Sequence, residues 1–190
     1  RLLVITGPCS IHDPAAALEY AQKLQQLQSQ VADQIFLVMR AYIEKPRTTV
    51  GWKGFLYDPE LNGSSNMQLG LEKSRELYLQ IIEMGLPIAS EILSPMATAY
   101  FDDLLAWGAI GARTSESQIH REISSHMPYS IGFKNGTDGS VQIALDAIQS
   151  ASHPHQFLGM SQQGLPCILE SQGNPKAHLI LRGANAGPNY

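Results

Sequence analysis

Reactive side chains recur in this sequence where short apolar runs end. The residues that close six such runs are Cys9, Arg40, Glu91, Arg113, Lys134 and Arg182. Two further basic residues, Lys45 and Arg47, lie in the long segment after the second run. Arginine binds phosphate or carboxylate as a bidentate fork, and lysine adds a point charge. Because the net charge of the chain is −4, this local excess of cations predicts a binding site for a doubly phosphorylated or phospho-carboxylate substrate set.

The six apolar runs are predicted to be buried parallel β-strands that alternate with amphipathic helices. They are Leu2–Thr6, Ile35–Met39, Leu86–Ser90, Ala109–Ala112, Ser130–Phe133 and His178–Leu181. Asp13-Pro14 and Ser94-Pro95 are typical helix starts, since a capping side chain precedes a proline in the first turn. Ligands of parallel α/β folds bind at the carboxyl ends of the strands. We therefore favour a binding site over the alternative, a solvated rim of charge.

Two intervals between the strands are long enough to be insertions. The stretch from Ala41 to Met67 has 27 residues, which is too long for an idle connection in a compact domain, so we expect it to be functional. The stretch from Ser152 to Ala177 contains apolar runs around Phe157 and Ile168, separated by Gly164-Leu165-Pro166, and is predicted to be a small β-hairpin. Neither insertion indicates a second domain, so residues 1–190 are interpreted as a single domain.

Composition excludes several classes of protein. Of the 190 residues, 44% are hydrophobic and 16% are charged, which is a globular balance and argues against disorder. No apolar run reaches the length of about 18–20 residues that a membrane helix needs, and the acidic net charge argues against a nucleic-acid-binding surface. The two cysteines form no metal-binding or redox motif. We expect a cytoplasmic protein that binds neither membrane nor nucleic acid.

The first turn distinguishes a closed barrel from an open doubly wound sheet. A dinucleotide-binding fold requires glycines in a GxGxxG pattern after the first strand. This chain has Gly7-Pro8-Cys9-Ser10-Ile11-His12 at that place, with proline and cysteine where glycines are needed. The sequence therefore favours a barrel.

Several motifs together resemble type I 3-deoxy-D-arabino-heptulosonate 7-phosphate (DAHP) synthase, in its feedback-regulated microbial branch. The matching segments, in chain order, are residues 7–13 (GPCSIHD), Arg40, 44–54 (EKPRTTVGWKG), 108–114 (GAIGART), 116–118 (ESQ), 132–139 (GFKNGTDG) and 181–183 (LRG). The resemblance implies a (β/α)8 TIM barrel that joins phosphoenolpyruvate to D-erythrose 4-phosphate at the head of the shikimate pathway. It also implies a divalent metal: manganese, iron or cobalt.

Position by position, the resemblance implies a role for each reactive residue. The residues that would bind phosphoenolpyruvate are Arg40, Lys45, Glu91, Ala112, Arg113, Lys134 and Arg182. Arg47 and Thr48 would bind the phosphate of erythrose 4-phosphate. Cys9 would ligate the metal as a thiolate, although the residue type alone would suggest a small buried thiol. Lys45 is predicted to be the catalytic proton donor to the aldehyde oxygen.

The chain departs from the family beyond the sixth strand. The resemblance places a histidine, a glutamate and an aspartate of the metal site there, together with the last two βα units. These and an N-terminal extension have no counterpart in residues 1–190, so we expect an incomplete TIM barrel of about six βα units plus the hairpin. A full barrel of this kind takes about 250 residues. We expect a protein truncated at both ends that, purified alone, binds metal poorly and turns over negligibly.

Three questions stay open on the sequence. The hairpin resembles one that helps to bind an aromatic amino acid effector, but the sequence does not specify which amino acid binds. The full-length protein is expected to be a dimer or a tetramer, and the sequence does not specify which of the two. A sister synthase that uses arabinose 5-phosphate is a distant alternative, because its loop has Lys-Ala-Asn-Arg-Ser where this chain has Lys45-Pro46-Arg47-Thr48. A non-catalytic amino-acid sensor is the third interpretation.

Overall fold

A computed structural model of the chain describes residues 1–161, 163–185 and 187–188. The chain divides into two compact units: a first unit of Arg1–Glu91 with Asp103–Ala106, and a second unit of Ile92–Asp102 with Trp107–Tyr190. Strands and helices alternate along both units, which confirms the predicted α/β pattern. Within the described residues, every helix is too short or too polar to cross a lipid bilayer.

The first unit contains three parallel strands and two long helices. In chain order they are β1 (Leu2–Thr6), α1 (Pro14–Val31), β2 (Ile35–Arg40), α2 (Met67–Glu83) and β3 (Ile88–Glu91). Strand β2 is central, since it pairs in parallel with β1 and with β3. Arg40, its last residue, pairs with Ala89. The carboxyl ends of β2 and β3 therefore lie side by side.

Helix α1 begins where the sequence predicts. The Asp13 carboxylate accepts hydrogen bonds from the main-chain N–H groups of Ala15 and Ala16 at 2.8 and 3.3 Å. Pro14 occupies the first turn, where its missing N–H leaves no intrahelical bond unmade. A stripe of small and aliphatic side chains then buries one face of the helix: Ala17, Ala21 and Leu24. This face gives α1 its stable packing.

The second unit contains three parallel strands, three helices and a hairpin. In chain order they are α3 (Pro95–Phe101), β4 (Trp107–Ile110), α4 (Gln118–His126), β5 (Ser130–Lys134), α5 (Gln142–Ala151), β6 (Gln156–Met160), β7 (Pro166–Glu170) and β8 (His178–Ile180). Strand β5 pairs in parallel with β4 and with β8. Strands β6 and β7 pair antiparallel, with Leu158 opposite Ile168, which confirms the predicted hairpin.

Two strands lie about two residues from their predicted positions. Strand β3 begins at Ile88 rather than Leu86, because the N–H of Leu86 still bonds to Ile81 at the end of α2. Strand β4 spans Trp107–Ile110 rather than Ala109–Ala112, since Trp107 and Gly108 already pair with β5. Glu91 is thus the last residue of β3 itself, whereas Ala112 and Arg113 lie in the turn after β4.

Candidate active site

A tight turn after β1 holds the side chain of Arg40. The guanidinium Nε and Nη2 atoms both donate to the Gly7 carbonyl oxygen, at 2.9 and 2.6 Å. Gly7 has φ +144°, and a Cβ there would collide with the carbonyl oxygen of Arg40, so the turn requires glycine. The Cys9 side chain follows the turn and is exposed. The turn therefore fixes Arg40 and presents a thiol to solvent.

Tyr42 shares this environment, although no sequence motif assigns it a role. Its side chain is 6% exposed, and burial raises the pKa of its phenol far above the ordinary value of 10.0. The charges of Glu91 and Cys9 add to this rise in pKa, while the Arg40 guanidinium opposes it. Tyr42 is thus a protonated hydroxyl at neutral pH. An aromatic residue two positions after a strand-end arginine is the only sequence signal that could have indicated it.

The long segment after β2 folds back on itself. The N–H of Lys45 donates to Lys53 O at 2.8 Å, and the N–H of Leu56 donates to Ile43 O at 3.0 Å. Gly54 has φ +113°, and a Cβ there would meet the carbonyl oxygen of Ile43. Only glycine allows the two arms of the loop to approach this closely.

Arg47 is held within this loop by one main-chain carbonyl group. Its Nε donates to the Trp52 carbonyl oxygen at 2.7 Å, and the Trp52 indole Nε1–H donates in turn to Asp58 O at 3.0 Å. Arg47 and Thr48 are exposed. Because Nε is engaged, the two terminal nitrogens of the Arg47 guanidinium remain as donors for an anion.

In the second unit, three basic side chains lie at the ends of strands or just after them. Arg113 is exposed in a turn where the N–H groups of Thr114 and Ser115 donate to Gly111 O, each at 3.0 Å. Lys134 is the half-buried last residue of β5, and Arg182 is half-buried after β8. The fully buried hydroxyl of Ser115 donates to Lys134 O at 2.7 Å. This bond attaches the turn that carries Arg113 to the strand end that carries Lys134.

Three of the predicted anion-binding side chains have no counter-ion within the part of the chain that the structure describes. The described residues provide neither a hydrogen-bond acceptor nor a carboxylate partner for the charged groups of Lys45, Arg113 and Arg182. The ion pairs that are resolved lie elsewhere, at Lys23–Glu19 and Arg75–Asp103. An unneutralised cation at a strand end favours an anionic ligand.

The described residues do not by themselves fit a metal centre. Among them, no three histidine, cysteine, aspartate or glutamate side chains are grouped as metal ligands would be. Cys9 offers one exposed thiol. His153 and His155 bond instead to the carbonyl oxygens of Gln149 and Ser150 at the end of α5. Metal ligation by Cys9 stays a prediction.

Comparison with known proteins decides the family. The model of the DAHP synthetase I family matches residues 1–190. The chain belongs to this family. Membership confirms the resemblance that the motifs indicate.

Curated relatives are similar along the whole chain. The Tyr-sensitive phospho-2-dehydro-3-deoxyheptonate aldolase of Escherichia coli is 54% identical over 190 residues, which are all of this chain and 53% of that protein. The Trp-sensitive enzyme of the same organism is 53% identical over 190 residues, 54% of its length. The chain thus spans about half the length of the curated relatives it matches.

A solved structure shows the fold. The phospho-2-dehydro-3-deoxyheptonate aldolase of Francisella tularensis SCHU S4 superposes with a TM-score of 0.96 and 52% identity, covering 99% of this chain and 55% of that one. Together with the parallel strands and alternating helices, this similarity confirms the predicted incomplete (β/α) barrel.

Proposed function

We propose that the protein condenses phosphoenolpyruvate with D-erythrose 4-phosphate to give DAHP and phosphate, the transferase reaction that opens the shikimate pathway. The observation that carries the proposal is a set of cations without counter-ions among the described residues, Lys45, Arg113 and Arg182, in a chain of the DAHP synthetase I family. Both substrates are phosphorylated, and one carries a carboxylate as well. Such anions need the charge-assisted donors that these side chains supply.

In the second unit, Arg113, Lys134 and Arg182 bind the phosphate and carboxylate of phosphoenolpyruvate, beside the main chain of Ala112. The other predicted phosphoenolpyruvate ligands, Arg40, Lys45 and Glu91, belong to the first unit. Arg47 and Thr48 bind the phosphate of the aldose, which agrees with the exposure of both side chains. Binding at several points fixes the two reactants for reaction.

The chemical step balances with one proton and one water. Carbon 3 of phosphoenolpyruvate attacks the aldehyde carbon, and the Lys45 ammonium donates a proton to the aldehyde oxygen as it becomes a hydroxyl. Water then adds to carbon 2 and gives up one proton, which restores the Lys45 ammonium. The bond between carbon 2 and the phosphate oxygen breaks, the hydroxyl on carbon 2 becomes the ketone, and its proton leaves with the phosphate. The arginines stabilise the anionic groups throughout. The proposal includes a divalent metal, manganese, iron or cobalt, that would be held by the Cys9 thiolate as one of its ligands.

The finer properties of the protein are proposed on the same basis. We expect one catalytic domain over residues 1–190, cytoplasmic location, a homo-oligomer, and feedback by an aromatic amino acid that binds near the hairpin. Relatives named Tyr-sensitive and Trp-sensitive support an aromatic effector without choosing one. Calorimetry of the full-length protein with Phe, Tyr and Trp in turn identifies which of these amino acids binds.

A two-substrate assay tests the reaction. The full-length protein is mixed with phosphoenolpyruvate, erythrose 4-phosphate and a divalent metal, and the loss of phosphoenolpyruvate absorbance and the release of phosphate are followed. We expect phosphoenolpyruvate to be lost and phosphate to be released at equal rates. We expect no consumption of phosphoenolpyruvate when arabinose 5-phosphate replaces erythrose 4-phosphate. Consumption with arabinose 5-phosphate alone would establish the sister reaction. No consumption with either aldose would refute the proposal and favour a sensor.

A further inference from the structure

Asn135 occupies the position immediately after the strand-end Lys134, and its side chain is fully buried. Its Oδ1 accepts a hydrogen bond from the main-chain N–H of Arg182 at 2.7 Å. Its Nδ2 donates to the carbonyl oxygen of the same residue at 3.3 Å. One amide group therefore satisfies both main-chain polar groups of Arg182.

These two bonds continue the hydrogen bonding between the chains of β5 and β8 beyond the last residues of the two strands. Strands β5 and β8 pair up to Lys134 and Ile180, and the N–H of Asn135 donates to Ile180 O at 3.3 Å. Arg182 lies beyond this ladder, where a loop would otherwise leave its backbone free to move. The Asn135 side chain fixes the main chain of Arg182 relative to Lys134, so the two predicted anion-binding side chains start from fixed points.

The Asn135 amide contacts main-chain atoms of Arg182 and leaves its guanidinium available. That guanidinium has no partner among the described residues. Positioning a binding group in advance reduces the entropy lost when its ligand binds. Asn135 thus holds the arginine without occupying its donors.

A buried asparagine is also a common element of pure structure, and Asn174 is an example in the same unit. It is 3% exposed, and its Nδ2 donates to the carbonyl oxygens of Ser124, Met127 and Tyr129 at 3.1, 3.4 and 2.9 Å. None of these residues is a predicted anion ligand. Asn174 therefore provides a matched comparison for the role of Asn135.

We propose that Asn135 is a positioning residue for phosphoenolpyruvate, acting through the main chain of Arg182. This proposal rests on the proposed function, because it assigns Arg182 to that substrate. It predicts an effect on one substrate only. Loss of the Asn135 amide weakens the binding of phosphoenolpyruvate and leaves the binding of erythrose 4-phosphate unchanged.

The test compares Asn135→Ala with Asn174→Ala in the full-length protein. Two main-chain hydrogen bonds of ordinary strength correspond to a rise of about tenfold in the KM for phosphoenolpyruvate in Asn135→Ala. The KM for erythrose 4-phosphate should change by less than about twofold. Asn174→Ala should lower the urea midpoint of unfolding and leave both KM values near those of the parent protein. Equal changes of the two KM values in Asn135→Ala, or no change in either, would overturn the proposal.

Hydrogen exchange measures the restraint directly and does not depend on turnover. In Asn135→Ala the main-chain amide of Arg182 should exchange faster than in the parent, whereas in Asn174→Ala its rate should be unchanged. If Asn135→Ala fails to fold, Asn135→Ser replaces it, since a serine hydroxyl is too short to reach both groups of Arg182. A folded Asn135→Ser with parental KM values and parental exchange at Arg182 refutes the proposal.

The two proposals fail in different ways. A parent protein that does not consume phosphoenolpyruvate with erythrose 4-phosphate refutes the proposed function, and the assignment of Asn135 falls with it. A parent protein that does, combined with an unchanged KM for phosphoenolpyruvate in Asn135→Ala, refutes only the assignment of Asn135.

Discussion

The two units hold their predicted anion-binding arginines in opposite ways. In the first unit, guanidinium nitrogens of Arg40 and Arg47 bond to main-chain carbonyl groups at Gly7 and Trp52. In the second unit, Arg113 and Arg182 make no such bonds within the described residues. Their main chains are held instead, by the Gly111 turn and by the buried side chain of Asn135.

This difference has a physical consequence for each unit. A guanidinium that bonds to its own chain stabilises the fold and has fewer donors left for a substrate. A guanidinium on a fixed main chain keeps every donor and contributes little to stability. We therefore expect substitution of Arg40 or Arg47 to affect both stability and binding, and substitution of Arg113 or Arg182 to affect mainly binding.

The largest expected effect is on turnover, at Lys45 in the first unit. Lys45→Met removes the proposed proton donor, so kcat should fall by about 10²- to 10⁴-fold with the fold intact by circular dichroism. Lys53→Met is the matched control, because Lys53 lies on the same loop with its ammonium 5.9 Å from the centre of the Tyr57 ring. A folded Lys45→Met protein with near-parental kcat would exclude the role of Lys45.

Replacing one arginine of each unit tests this difference between the units. Arg113→Ala should raise the KM for phosphoenolpyruvate by about 10- to 100-fold, while the free energy of unfolding in urea changes by less than about 0.5 kcal/mol. Arg40→Ala should raise this KM and also lower the free energy of unfolding by about 1–3 kcal/mol, because the half-buried Gly7 carbonyl loses its donors. Equal stability losses in the two variants would contradict the distinction between the units.

Trp52 offers a smaller effect within the first unit. Trp52→Phe removes the indole N–H that bonds to Asp58 O. Residue 52 should then be held less firmly, and its own main-chain carbonyl is the group that accepts the hydrogen bond from Arg47. We expect a rise of about three- to tenfold in the KM for erythrose 4-phosphate, with that for phosphoenolpyruvate unchanged. Trp107→Phe is the control, since it loses a similar bond, to His178 at 3.1 Å, in the second unit. An equal rise in both variants would show that Trp52 acts only through general stability.

The smallest effect is expected at the ion pair of Arg75 and Asp103, whose two bonds are 2.9 and 2.6 Å long. The hydrogen bond from Arg75 lowers the pKa of Asp103 below its ordinary 3.8. A lowered pKa in the folded state adds stability above pH 3.8, and that stability is lost as the pH falls through the folded value. Because both side chains are substantially exposed, Arg75→Met should lower the free energy of unfolding at pH 7 by less than about 1 kcal/mol.

Urea unfolding at several pH values measures this contribution. The difference between the parent protein and Arg75→Met should shrink as the pH falls below 3.8, and it should also shrink in high salt. A difference that is independent of both pH and salt would mean that Arg75 stabilises the protein by packing rather than by charge.

Much of the fold follows from local patterns. The Asp13-Pro14 helix start, the six apolar runs and the hairpin around Phe157 and Ile168 were each predicted and are present. The errors were in strand bounds, at β3 and β4, because the hydrogen bonds of Leu86 and the pairing of Trp107 depend on neighbouring elements rather than on residue type. The strand-end cations were also visible in the sequence.

Residue types and their order along the chain are enough to predict where the strands and helices lie, which charged residues follow them, and which family the chain resembles. The folded structure was needed to show that Arg40 and Arg47 bond to main-chain carbonyl groups, that Tyr42 is buried among charges, and that Asn135 holds Arg182. Asn135 and Arg182 are separated by 47 positions in the chain. Contacts of that kind form only when the sheet brings strand ends together, so no local pattern encodes them.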